Sequence, residues 1–145
     1  MQLTKQTDYA LRILMYSALQ PEGQLVSVQE VTDAYQISRN HVMKIVQRLG
    51  QEGYLTTIRG KGGGFHMALP PEAVGLGRVI RQLESTLTLV ECESPPCRIA
   101  SQCRLKGIFS EAMAAFLAVL DQYTLADLIR NKSALSQIFM VPLEP

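Results

Sequence analysis

A chain of 145 residues that is 47% apolar and 19% charged holds enough apolar material for one packed domain, or one domain with an appended helix, and falls outside the disordered class. Its longest apolar run, Ala112 to Leu120, is too short to span a bilayer, and Met1 to Lys5 carries no charged segment leading into an apolar one; a soluble, cytoplasmic protein without membrane contact is expected. The net charge of +1 does not by itself suggest nucleic acid, but its distribution does: residues 38–61 carry Arg39, Lys44, Arg48, Arg59 and Lys61 against Glu52 alone. A merely solvated helix face is the alternative.

Residues 4–20 contain neither glycine nor proline and keep apolar residues at Ala10, Leu11, Leu14, Ala18 and Leu19, the spacing of a helix that Pro21 and Gly23 end. Asp8 and Arg12, four positions apart, share one face of it and can form a surface ion pair. Ser27, with Glu30 three residues on, has the capping-box pattern for a helix over 28–35. Ser38 can cap the next helix, Arg39 to Gln51, with Val42, Ile45, Val46 and Leu49 inward and Arg39, Asn40, His41, Lys44, Gln47 and Arg48 outward. Two short helices joined by a tight turn, the second opening on long polar donors, meet the requirement of a helix-turn-helix. Asn40 and the longer Arg39 are the expected bidentate readers of base edges. Lys44 and Arg48 are the expected phosphate contacts, and Ser27, Ser38 and His41 complete the expected DNA-binding set on these two helices.

Gly53 ends the second helix, and Tyr54–Ile58 and Phe65–Leu69 read as paired strands around Arg59-Gly60-Lys61-Gly62-Gly63-Gly64. This is the pattern of a wing whose cations, Arg59 and Lys61, enter a minor groove or lie along a backbone. A nucleotide-cradling loop would join a strand to a helix, whereas this one joins two strands. His66, alone in its strand, is expected to be structural.

Pro70-Pro71 closes a winged helix-turn-helix region over residues 1–70, and residues 71–145 form the remainder. A short helix is expected from Val74 to Leu83, followed by a cysteine loop over 91–103. A long helix then carries apolar residues at Leu105, Ile108, Phe109, Ala112, Met113, Ala115, Phe116, Leu117, Val119 and Leu120. That stripe is wider than a surface helix needs, so burial on two sides is expected, against its own domain and against the same helix of a twofold mate. Such a homodimer suits double-stranded promoter DNA with inverted-repeat sites. A last helix is expected from Leu125 to Asn131, and the apolar residues beyond Lys132 (Leu135, Ile138, Phe139, Met140) define no element. The expected fold is mainly α: a winged helix-turn-helix with a two-stranded wing and a long C-terminal dimerisation helix.

All three cysteines lie in the run Cys92-x4-Cys97-x5-Cys103, stiffened by Pro95-Pro96 and flanked by Arg98 and Arg104. Three thiols cannot all pair in one chain, and together they supply three of the four protein ligands of an iron-sulfur cluster or of a zinc ion. The spacing is not the CxxC pair of zinc ribbons, and thiol redox chemistry or plain packing are further readings. A fourth ligand could be Glu91, Glu93, His41, His66, a small molecule, or Asp8 of either subunit. With two histidines, no nucleophile-histidine motif and no paired-carboxylate signature, no enzyme is expected. A helix-turn-helix serving only as a protein-binding scaffold would not need the basic patch.

The opening Leu3-Thr4-x-x-Thr7-Asp8-Tyr9-Ala10-Leu11-Arg12, the run Ser38-Arg39-Asn40-His41-Val42-Met43-Lys44-Ile45, the wing Arg59 to Gly64 and the cysteine trio resemble the IscR/NsrR family of winged-helix regulators, from Met1 to about Leu120. The resemblance implies a homodimeric repressor with an iron-sulfur cluster on Cys92, Cys97 and Cys103, 4Fe-4S in preference to 2Fe-2S. In one branch a histidine shortly after the third cysteine is the fourth ligand; Arg104-Leu105-Lys106-Gly107 offers none. The resemblance therefore runs to the nitric-oxide-sensing branch, which implies Asp8 of the partner subunit as fourth ligand, nitric oxide as the signal and nitrosative-stress genes as the targets. The alternative is a zinc- or cluster-bearing regulator answering a different redox or iron signal.

Overall fold

In the computed structural model, residues 1–141 are described, and they form seven helices and one two-stranded antiparallel sheet. Helix α1, Lys5–Leu19, starts where the Thr4 hydroxyl accepts the Thr7 amide proton at 3.3 Å, and it ends at Gln20, whose extended backbone leads into Pro21. Helix α2, Val28–Tyr35, opens with the expected capping box: the Glu30 amide donates to Ser27 Oγ at 3.1 Å and the Ser27 amide to the Glu30 carboxylate at 2.6 Å. Gln36 turns the chain in a left-handed conformation, and Ser38 caps α3, Arg39–Gln51. Gly53, at φ +83°, reverses it into the wing.

Strand β1, Leu55–Ile58, pairs with β2, Gly64–Met67, and Thr57 lies opposite Phe65. Both strands are shorter than their apolar runs suggest. Phe65 also exchanges backbone hydrogen bonds with Val26, at 2.7 and 2.9 Å, so the chain entering α2 lies against the wing. That contact needs Gly64, where a Cβ would sit 2.5 Å from the Val26 carbonyl oxygen. Gly64→Ala must displace backbone, and a loss of about 1–3 kcal/mol is expected in denaturant titration.

The core forms around α1, which packs against α3, β2 and three helices from the second half of the chain. Ile13, Leu14, Val26, Val31, Val42, Leu49, Phe65, Val74, Val79 and Leu125 are buried together. Past a short 3-10 turn at Pro71–Ala73, Val74 stays extended, its carbonyl accepting the Leu125 amide proton at 2.8 Å. Helix α4, Leu76–Leu83, therefore begins two residues later than expected. Helix α5 spans Arg104–Leu120, about 25 Å at the usual rise. Helix α6, Leu125–Leu128, stops short of the expected Asn131.

Two corrections follow from the second half. No residue of α5 is buried. Phe109, Met113, Leu117 and Leu120 are half-covered, whereas Leu105, Ile108, Phe116 and Val119 stand 39–53% exposed, so the expected burial against its own domain is not met. The tail that suggested no element forms α7, Lys132–Phe139, because the Phe139 ring packs edge-on against Tyr16 at 5.5 Å and Tyr35 at 5.2 Å. Residues 142–145, the end of the expected second region, lie outside the described residues.

Candidate nucleic-acid interface and cysteine loop

The outward face of α3 follows from its periodicity: Val42, Ile45, Val46 and Leu49 are buried, which turns Arg39, Asn40, Lys44, Gln47 and Arg48 to solvent. Ser38 and Ser27 spend their hydroxyls on the α3 and α2 caps, leaving their hydroxyl groups on backbone amides within the fold. Arg39 reaches back to Gln29 on α2 at 3.3 Å. Arg59 and Lys61 are exposed on the wing loop, which is shaped by the left-handed Gly60 and Gly62 and by Gly63, where any Cβ would overlap the Ile58 carbonyl.

Two of the residues expected at this face sit differently. His41 is half-buried, its ring edge-on to Tyr9 of α1 at 5.1 Å. The Arg48 guanidinium is turned back, 2.7 Å from Glu52 and donating to the Gln82 carbonyl at 3.2 Å. Since Glu52 is the only carboxylate between residues 38 and 61, this pair leaves Arg39, Lys44, Arg59 and Lys61 as the outward cations of helix and wing. Gln82 and Tyr54, which hold this arrangement, carried no signal in the sequence: one is a polar position on a short helix, the other an aromatic at the start of a strand.

The cysteine loop is built from local turns and packs on little. The Cys97 amide donates to the Cys92 carbonyl at 3.1 Å, and the Ala100 amide to the Cys97 carbonyl at 3.1 Å. The Glu91 carboxylate accepts the amide protons of Glu93 at 2.8 Å and Ser94 at 3.3 Å, and these bonds hold its carboxyl below the ordinary range. Cys92 and Cys103 are half-exposed and Cys97 exposed, all three as free thiols; Cys103 immediately precedes α5.

In donor type these residues fit an iron-sulfur cluster, three soft ligands on a loop not locked to the core. Cys92, Cys97 and Cys103 are not gathered at one point: among the described residues no three His, Cys, Asp or Glu side chains lie close enough to hold a metal. The fourth-ligand candidates are mostly engaged elsewhere. Glu91 folds the loop, His41 packs on Tyr9, and His66 Nδ1 lies 2.9 Å from the Met67 carbonyl. Glu93 is exposed. Both oxygens of Asp8 accept from Arg12 at 2.9 Å, the surface pair that the spacing suggests, and Arg12 in turn lies over the Tyr9 ring at 5.6 Å.

Among the described residues no helix is long and apolar enough to cross a membrane. Among solved structures, the chain is similar to CymR (YrzC), the global cysteine regulator of B. subtilis, at 25% identity and a TM-score of 0.71, covering 90% of this chain and 98% of that one. Staphylococcus aureus CymR (22% identity, TM-score 0.70, covering 86% and 95%) and T. potens IscR (21%, 0.70, covering 90% and 88%) share the fold. A family model, Rrf2, described as an iron-dependent transcriptional regulator, matches residues 3–131. That match spans the helix-turn-helix, the wing, the cysteine loop and α5, and the chain belongs to the Rrf2 family of transcriptional regulators and is not an enzyme.

Proposed function

We propose that this chain is a homodimeric, DNA-binding repressor of the NsrR type, active in the cytoplasm, in which residues 1–70 read promoter DNA and residues 71–145 carry the sensor and the dimer contact. The observation that carries it is a loop of three free thiols, Cys92, Cys97 and Cys103, the last of them directly preceding a helix whose apolar face is uncovered in the single chain. Cys92, Cys97 and Cys103 would hold an iron-sulfur cluster, 4Fe-4S in preference to 2Fe-2S, with Asp8 of the partner subunit as fourth ligand. The bound cluster supplies iron that nitric oxide can attack.

The residues of the chain explain how such a site would govern DNA. Asp8 lies on α1, and α1 packs on α3. An Asp8 carboxylate given to the partner's loop would share or give up its bonds to Arg12, and it would tie the pose of one reading helix to the other subunit. Helix shifts of about 1–2 Å are typical of such switches and disturb half-site register. Arg39 and Asn40 would read bases; Lys44, Arg59 and Lys61 would hold phosphates, with the α2 and α3 N-termini at Ser27 and Ser38 beside them. His41 would position α3 against Tyr9, and Arg48 would contact phosphate only with the N–H groups that Glu52 and Gln82 leave over.

A second reading, a different redox or iron signal at the same loop, is favoured by the likeness to CymR, the global cysteine regulator of B. subtilis, and by thiols that stand free. The DNA reading is tested by selection from a random-sequence duplex pool with the full chain, prepared anaerobically and metal-free in parallel. Enrichment of inverted repeats is expected, with log affinity falling against log salt by about 0.9 per phosphate contact. No enrichment by either preparation contradicts it.

A further inference from the structure

Helix α4 buries Leu76, Val79, Ile80 and Leu83, and the polar residues Arg81 and Gln82 at its end and Glu84 just past it each grip a different part of the molecule. Arg81 holds Asp121 at the end of α5 through two bonds, at 2.5 and 2.7 Å. Glu84 accepts from the Thr4 amide at 2.9 Å and the Thr4 hydroxyl at 3.0 Å, at the start of α1. Gln82, between them, meets the end of α3 and the beginning of the wing. Its Nε2 donates to Glu52 at 3.1 Å, its Oε1 accepts from the Tyr54 hydroxyl, and its carbonyl accepts from Arg48. Arg48 and Glu52 are themselves paired, so the three residues close a ring around the last turn of the recognition helix.

We infer that Gln82 is a positioning residue for DNA reading, fixing the C-terminal end of α3 and the first wing strand to the half of the chain that carries the cysteines and α5. The inference rests on the DNA-reading function proposed above. Tyr54 is almost fully buried, and its hydroxyl depends on Gln82 for an acceptor. The site requires an amide. A carboxylate at position 82 would accept from Tyr54 but repel Glu52, and an apolar side chain would strand the Tyr54 hydroxyl and leave Glu52 held by Arg48 alone. By orienting Glu52, Gln82 also sets how far Arg48 is drawn away from a phosphate.

The test uses the full chain and a duplex recovered by the selection described above. Gln82→Met keeps the bulk and removes both hydrogen bonds; about a tenfold loss of affinity for that duplex is expected, with a smaller loss for a random duplex. Gln82→Glu alone should bind no better. Adding Glu52→Gln to Gln82→Glu exchanges donor and acceptor, closes the ring again and should restore affinity to within about threefold of the unaltered chain. Thermal melting of all variants separates stability from positioning. Wild-type affinity in Gln82→Met overturns the inference while DNA reading stands, as does an exchanged pair that recovers the melting temperature without the affinity. A wild-type chain that enriches no duplex overturns DNA reading, and the positioning role with it.

Discussion

Ile108→Asp combined with Val119→Asp is expected to yield a folded monomer that no longer retains inverted-repeat DNA. Leu105, Ile108, Ala112, Phe116 and Val119 recur at helical spacing along α5, and Ile108 and Val119 are each 53% exposed in the single chain. A twofold seam on this stripe would bury each side chain twice, gaining about 25 cal/mol per Å² of apolar area. Two aspartates per subunit place four carboxylates in that seam, and desolvating them without partners costs far more than the lost apolar contacts. The fold itself is spared because no residue of α5 is buried within its own chain. Sedimentation equilibrium should report a dimer for the unaltered protein and a monomer for the double variant. Duplex affinity should fall by about 10²–10⁴-fold as simultaneous engagement of both half-sites is lost. A variant that remains dimeric moves the interface away from this face.

Arg39→Ala with Asn40→Ala is expected to abolish sequence discrimination. Each bidentate base contact contributes about 1–3 kcal/mol of discrimination, so removing both should bring the selected duplex close to a random one. Lys44→Ala should behave differently, weakening all duplexes alike and lowering the salt slope by about one. Competition binding against selected and random duplexes at several salt concentrations distinguishes the two patterns. If Arg39 and Asn40 can be removed with specificity intact, the bases are read elsewhere.

The first half of the fold was legible because its boundaries are written in short-range chemistry. Ser27 with Glu30, Ser38 before Arg39, Pro21 after α1 and Gly53 after α3 act within a turn of the helix they bound, and the structure ends those helices at or within a residue or two of these signals. What the sequence could not convey depends on distant partners. Helix α7 is anchored by Phe139 on Tyr16 and Tyr35, more than a hundred residues away, and nothing local to the tail announces that contact. The apolar width of α5 told how much surface wants cover but not which chain supplies it, and the share assigned to its own domain was too large.

The candidate site divides in the same way. Outward cations on α3 follow from periodicity, yet Arg48 is captured by Glu52, a pairing the i,i+4 spacing allowed, and by the Gln82 carbonyl, which no local pattern places there. The Asp8–Arg12 pair was equally visible in its spacing. For the cysteines, residue type and spacing define a donor set, whereas where the loop carries each thiol is not written in a single run of residues, and among the described residues the three are not gathered at one point.

The most direct measurement is made on the full chain purified without oxygen: iron, sulfide and zinc counted on one sample, its visible absorption recorded, and nitric oxide added while binding to the selected duplex is followed. Iron and sulfide in stoichiometric amounts, a visible band that bleaches with nitric oxide, DNA released in step, and a spectrum altered by Asp8→Ala are the expected results. Stoichiometric zinc without colour, or DNA binding indifferent to nitric oxide, would contradict nitric oxide sensing through a cluster at Cys92, Cys97 and Cys103.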